Sequence, residues 1–230
     1  MYWLEEELIF PHPKHSDADG LLAIGGDLSP KRLILAYKNG IFPWFNPGEV
    51  YLWWSPDPRF VLFPDDLKVS KSMRPYFNQQ KFTVKYDTCF TAVMKQCSEA
   101  KRRGQAGTWI TDEMIESYTQ LHNMGWAHSV EVYQGDELVG GLYGIALGSV
   151  FFGESMFAKV SNASKFGFIS LVHNLIAQGF TLIDCQQDTP HLASLGAVSI
   201  PRTEFLEMME CNNKLEHKPT KWTSLFVPIV

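Results

Sequence analysis

The stretch from His128 to Gln186 admits few folds. Three apolar, β-prone runs, His128–Gln134, Glu137–Ala146 and Ser149–Phe157, are separated only by the turns Gly135-Asp136 and Gly148-Ser149. Connections that short permit only antiparallel pairing, so the three runs form a meander. A helical pattern from about Ser164 to Gln178, ended by Gly179, then leads to a fourth strand, Thr181–Gln186. Within these apolar strands stand polar residues. Glu154 follows Val150-Phe151-Phe152-Gly153, and Asp184 and Gln186 flank Cys185 after Leu182-Ile183. A polar group beside a core strand must be hydrogen-bonded or it destabilises the fold. One such residue reads as a buried hydrogen-bond network; three that converge argue for a site.

The 230 residues allow one large domain or two small ones. A hydrophobic fraction of 45% with 20% charged residues excludes a disordered chain. The opening Met1-Tyr-Trp-Leu-Glu-Glu-Glu7 lacks the basic start and apolar run of a secretory leader, and no apolar stretch approaches membrane-spanning length. The expectation is a cytoplasmic monomer with no membrane contact. Cys89, Cys97, Cys185 and Cys211 show no CxxC or Cys/His spacing, so they read as reduced core thiols and no metal site is expected.

The formal net charge of −5 conceals an asymmetry. Lys68 to Arg103 carries nine Lys or Arg against Asp87 and Glu99 alone. A solvated helix face would explain a short charge run. A segregated basic zone in an otherwise acidic chain points equally to a polyanion, with an acidic surface left to receive a cationic second partner.

The first sixty residues are rich in Pro, Gly and Trp: DGLLAIGGDLSP (Asp19–Pro30), GIFPWF (Gly40–Phe45) and LWWSPDPR (Leu52–Arg59). One helix interrupts them, with Ser29 as N-cap, Pro30 in the first turn, an apolar face over Leu33–Tyr37 and Gly40 as its stop. Further on, a short helix near Ser70–Phe77 precedes a strand, Phe82–Tyr86. Asp87 and Thr111 are expected to cap two more helices, whose apolar faces are Phe90, Val93, Met94, Cys97 and Met114, Ile115, Tyr118, Leu121. The expected fold is α+β: a small loop-rich N-terminal domain over residues 1–63, then a domain over 64–230 with a mostly antiparallel sheet. Meander, helix and strand in that order are similar to the core of GNAT-type acyltransferases. The acyl-CoA members of that group carry a Gly-rich turn after the meander that holds pyrophosphate at a helix N-terminus. Phe157–Lys165 has no such glycines, which makes coenzyme A a poor fit and asks for another acyl donor.

Taken together, DGLLAIGGDLSP, GIFPWF, LWWSPDPR, GTWIT (Gly107–Thr111), AHSVEV (Ala127–Val132), LVGGLYG (Leu138–Gly144), GESMF (Gly153–Phe157), NASK (Asn162–Lys165), LIDCQ (Leu182–Gln186) and HLASLGA (His191–Ala197) resemble the bacterial leucyl/phenylalanyl-tRNA–protein transferases over nearly the whole chain. The resemblance implies transfer of Leu or Phe, less readily Met, from aminoacyl-tRNA to the α-amino group of proteins that begin with Arg or Lys. The new N-terminus marks the acceptor for degradation. The ester is already activated, so no cofactor is implied.

The resemblance also implies roles. Trp44 and Trp109 would hold the terminal adenosine, while Trp53 and Trp54 read as core. Leu142, Phe151, Met156, Phe168, Leu171 and Ile183 would wall a pocket for the aminoacyl side chain, with Leu142 where some relatives have Met. For the chemistry, Asp184 would attract the acceptor's ammonium and hold geometry, Gln186 would position the attacking amine, and Glu154 would fix the aminoacyl-adenosine. Two-residue spacing on a strand places Asp184 and Gln186 on one face. Lys71, Arg74, Lys81 and Lys85, chosen by charge segregation, would meet the phosphates of the acceptor stem. Asn162, Ser164 and Lys165, at a strand-to-helix junction, read as capping the helix in preference to lining the site, and His191 reads as structural. Two rival readings stand beside this one: an acyl-CoA-dependent N-acetyltransferase, supported by the layout alone, and a non-catalytic RNA-binding module, supported by the basic zone alone.

Overall fold

The structure, a computed structural model, describes residues 2–100, 108–216 and 220–226. In chain order its first elements are β1 (Tyr2–Leu4), β2 (Leu21–Gly25), α1 (Pro30–Lys38), β3 (Phe42–Pro43), β4 (Leu52–Trp54) and β5 (Arg59–Leu62). Next come α2 (Arg74–Asn78), β6 (Thr83–Tyr86), α3 (Phe90–Glu99), α4 (Asp112–Asn123), β7 (Ala127–Gln134), β8 (Glu137–Leu147) and β9 (Val150–Ala158). The last are α5 (Ala163–Ala177), β10 (Leu182–Gln186), α6 (Pro190–Ala193), β11 (Val198–Ile200) and α7 (Arg202–Asn212).

Two sheets result. The first strands, in the stretch expected to be loop-rich, pair as β1-β2-β4-β3, and the seven others as β11-β5-β10-β9-β8-β7-β6. In the larger sheet only β9 and β10 run parallel. The meander is therefore β7-β8-β9, as its short turns require. Residues 59–62, expected from the sequence to close the N-terminal domain, form β5 beside β10 in the larger sheet. The buried run Phe60-Val61-Leu62 is apolar enough to occupy an interior strand.

Helix ends follow the sequence where a side chain can reach. Ser29 Oγ accepts from the Arg32 amide and Thr111 Oγ1 from that of Met114. Asp87 does not cap α3. Its backbone is left-handed (φ +56°), and its carboxylate accepts from the Ser129 amide, His128 Nδ1 and the Trp222 amide. The Thr88 and Cys89 amides at that helix end are taken by buried Glu131 on β7. Asn162 also fails to cap: it sits at φ +66° and gives its side-chain amide to Tyr76 Oη at 3.0 Å. Of the four cysteines only Cys97 is fully buried; Cys89 and Cys185 are half-buried, and Cys211 is exposed rather than in the core.

Helix α5 lies across the sheet. Phe166 to Val172 are all buried, as in a helix covered on every side. A side chain at Gly167 would come within 2.6 Å of Val132, so glycine lets the helix seat directly on β7. Two core clusters follow, one on each side of the larger sheet's apolar strands. The second, with Leu142, Phe151, Phe168 and Ile183, extends into the site.

Candidate active site

Parallel pairing of β9 and β10 lasts only three residues, from Val150–Leu182 to Phe152–Asp184. Beyond it β9 stays with β8 as far as Ala158, whereas β10 bulges between Asp184 and Gln186 and ends. The strands part, and a cavity of about 480 Å³ opens between Gly153–Met156 and Asp184–Gln187. Leu142, Phe151, Met156, Phe168 and Ile183 supply apolar wall, and Trp44 and Trp109 also border the cavity. Leu171 does not reach it. One helical turn past Phe168, it is fully buried in the core cluster instead. Trp53 is core as expected, its indole N–H given to the Gly25 carbonyl at 2.9 Å; Trp54 is half-buried and packs on Trp44.

Glu154 is the polar centre. One carboxylate oxygen accepts from Tyr37 Oη at 2.7 Å and Gln186 Nε2 at 2.9 Å; the other accepts from Tyr118 Oη at 3.4 Å. Tyr37 comes from α1 and Tyr118 from α4; both rings are fully buried and their hydroxyls touch. Burial pushes the Glu154 carboxyl up to about 7, against the hydrogen bonds from Tyr37, Gln186 and Tyr118. Burial likewise holds both phenols well above their ordinary range, with Glu154 adding to the shift. The tyrosines therefore remain neutral donors. Because Gln186 spends its NH₂ on Glu154, its carbonyl oxygen is the end left to accept a proton donor.

Asp184 is placed to hold geometry rather than to meet an ammonium. Its carboxylate is fully buried and forms a fork with Arg59, Nε to Oδ1 at 2.8 Å and Nη2 to Oδ2 at 2.6 Å. The Arg59 guanidinium, itself fully buried, lies over the rings of Phe42 and Phe205 at 4.8 and 4.6 Å. Oδ1 of Asp184 also accepts the Gln186 amide at 3.0 Å, curling the chain into the bulge with Gln186 at φ +63°. The bulge breaks the two-residue alternation, so spacing no longer sets the two side chains on one face. A carboxylate already paired to a guanidinium is also unsuited to holding an incoming ammonium.

Four contributors were not expected from the sequence. Tyr37 and Tyr118 were legible as helix-face residues, and the signal missed was that a buried phenol needs a partner for its hydroxyl. Arg59 opens the otherwise apolar strand β5, where a buried cation requires a counter-charge. His191 borders the cavity, and its Nε2 is shielded without a hydrogen-bond partner among the described residues. Burial and nearby Lys165 hold its imidazole below the ordinary pKa, hence neutral.

The basic residues lie elsewhere. Lys71, Arg74, Lys81 and Lys85 are exposed, on the turn before α2, on α2 itself, and on and before β6. Lys81 lies over the Tyr76 ring and Lys85 over that of Tyr133. Asp87, one of the two acids in that zone, is buried, which leaves the exposed face more positive still. Lys101, Arg102 and Arg103 fall outside the described residues. Among the described residues no group of three His, Cys, Asp or Glu could hold a metal ion, and no helix is long and apolar enough to cross a membrane.

An apolar cavity with a carboxylate and an amide at its edge is the arrangement of a site that takes a ligand with an apolar body and a polar end. Comparison with known proteins makes the assignment specific. Residues 61–210 match the family described as leucyl/phenylalanyl-tRNA protein transferase, and residues 26–57 match that transferase's N-terminal domain. The leucyl/phenylalanyl-tRNA–protein transferase of Nitrosospira multiformis is 55% identical over 224 residues, 96% of this chain and 95% of that protein. That of Flavobacterium johnsoniae is 56% identical over 210 residues, 91% and 99% of the two. The chain belongs to this family. Among solved structures, L-PGS from Bacillus licheniformis is similar at a TM-score of 0.41 and 14% identity, over 74% of this chain and 56% of that one. A GCN5-related N-acetyltransferase from Kribbella flavida is similar at 0.31 and 11%, over 72% and 59%.

Proposed function

We propose that this chain moves Leu or Phe, and less readily Met, from aminoacyl-tRNA to the α-amino group of proteins that begin with Arg or Lys, acting as a cytoplasmic monomer. The observation that carries the reading is one cavity that joins an apolar interior to the Glu154–Gln186–Tyr37–Tyr118 network. The donor's side chain would enter among Leu142, Phe151, Phe168 and Ile183. Its adenosine would lie against Trp44 and Trp109, and its α-amino or ribose hydroxyl groups would meet Glu154.

The attacking amine then approaches the ester carbonyl as the free base. The Gln186 carbonyl oxygen accepts one of its N–H groups and orients the lone pair. A C–N bond forms, the ester C–O bond breaks, and the ribose oxygen gains the proton that the nitrogen sheds, carried by water or the substrate's own hydroxyl. An amide is too weak a base to keep that proton, so Gln186 positions the amine. Asp184 and Arg59 act at one remove, by fixing the bulge that aims Gln186.

The direct test is transfer of labelled Phe from Phe-tRNA to peptides beginning with Arg, Lys, Ala or acetylated Arg. Label on the Arg and Lys peptides alone is the expected result; no label on any peptide would overturn the reading. Two further outcomes are expected. Trp44→Ala, at a position only partly covered (37% exposed), should weaken binding of an aminoacyl-adenosine analogue by about 1–3 kcal/mol, the worth of one stacked base, with little change in the single-turnover rate. Replacing Lys71 or Lys85 with Ala should weaken tRNA binding irrespective of sequence and flatten its salt dependence by about one unit of slope. An unchanged slope between low and high salt would show that this face does not meet the tRNA.

A further inference from the structure

After α7 the chain returns to the larger sheet through residues 220–226, which lie beyond the region of the family match. Lys221, Thr223 and Leu225 of this segment are exposed, whereas Trp222 and Phe226 are buried (3% and 6%). The Trp222 ring stacks on His128 (centroids 3.9 Å, planes 3° apart) and on Phe226 (4.2 Å). It also meets Phe151 at 5.7 Å and Phe180 edge-on at 6.4 Å. Its backbone N–H is held by Asp87 Oδ2 at 2.7 Å, the oxygen that also bonds His128 Nδ1 at 2.9 Å. Phe226 packs edge-on against Tyr86, whose hydroxyl accepts from Asn174 of α5. Two rings and one main-chain bond thus fasten the segment to β6, β7 and β9.

One of those contacts reaches the site. Phe151 is fully buried and forms part of the apolar wall of the cavity. Its ring presses against the backbone of Gly144 so closely that a Cβ there would lie 2.4 Å from its tip. Gly144 and Trp222 thus both bear on the ring that walls the cavity. Interiors transmit such constraints because they are close-packed.

We propose that Trp222 is a specificity-determining positioning residue: the C-terminal segment is a latch that holds Phe151 in place and so sets the width of the aminoacyl pocket. The inference rests on the transferase reading above. A wide pocket gains nothing for Phe, loses contact with the smaller Leu, and ceases to exclude a β-branched Ile. Differences of one or two methyl groups correspond to about 10–200-fold in kcat/KM when walls are fixed, and to less when they yield.

The test compares single-turnover transfer from Phe-, Leu- and Ile-tRNA to an Arg-initiated peptide for wild type, Trp222→Leu, Trp222→Phe and Leu225→Ala. Trp222→Leu should lower the Leu-to-Phe ratio of kcat/KM by about tenfold and raise the Ile-to-Leu ratio, mainly through KM. Trp222→Phe should lie between, and Leu225→Ala should match wild type. A purely structural role would slow all three donors alike. Unchanged ratios in a folded Trp222 variant would therefore overturn the latch alone. Should Trp222→Leu fail to fold, the Trp222→Phe ratios decide by the same criterion. A wild type inactive with every donor would instead overturn the transferase reading.

Discussion

Arg59→Leu is expected to destabilise the protein by about 3–5 kcal/mol and to abolish transfer. The change strands a fully buried Asp184 carboxylate that has no other salt-bridge partner among the described residues. The midpoint of urea unfolding would report it. Asp184→Ala should be comparably harmful, because it leaves the Arg59 guanidinium buried between Phe42 and Phe205 without its counter-charge. The most informative variant is the double substitution Arg59→Met/Asp184→Leu. Apolar side chains of similar volume commonly replace a buried ion pair at little or no cost, so stability should return to within about 1 kcal/mol of wild type. Activity should not return with it. Asp184 Oδ1 holds the Gln186 amide in the bulge, and leucine offers no acceptor. A stable double variant that transfers at the wild-type rate would reduce the pair to core packing and leave Asp184 without a part in the reaction.

That pair is a contact that sequence spacing does not encode. The meander was legible because two-residue turns leave antiparallel pairing as the sole option, and β7, β8 and β9 lie within a residue or two of their expected limits. Glu154, Gln186 and five of the six residues expected as apolar wall border one cavity. What spacing could not supply was the bulge. Gln186 adopts a left-handed backbone without a glycine to announce it, and the cause is a hydrogen bond to a side chain two residues earlier. Contacts between distant segments were equally hidden. Arg59 and Asp184 are separated by 125 positions, and Tyr37 and Glu154 by 117. Each was visible alone as a polar group in apolar company, but only the folded chain says which one answers which. Leu171 fails as a wall residue for a related reason: helical periodicity gives the face, and not how far along the helix the cavity extends.

Glu154→Gln should remove a pH dependence as well as a contact. The carboxyl sits near 7 in the folded protein, above its ordinary value near 4.5, because it is buried. A raised carboxyl favours the folded state below the ordinary pKa and loses that advantage as pH rises through about 7. Wild type should therefore lose stability relative to Glu154→Gln between roughly pH 4.5 and 7, and track it above. Donor binding should run the other way. A protonated Glu154 offers no charge to the donor's α-ammonium, so affinity for a non-transferable Phe-adenosine analogue should climb through about pH 6 and level off at about 7, before the analogue's own α-amine begins to lose its proton at about 8. With glutamine at 154 the same curve should be flat and weaker, while the two tyrosines, held neutral throughout this range, add no limb of their own. Measuring analogue affinity rather than turnover matters here, because the acceptor's α-amine also titrates near about 8 and would impose a rising limb on any rate. A wild-type curve without an inflection near neutrality would mean that Glu154 does not meet the donor's cation. The carboxylate would then serve only to hold Gln186 by its amide, and a Gln186→Ala variant should reproduce the whole effect of Glu154→Gln on transfer.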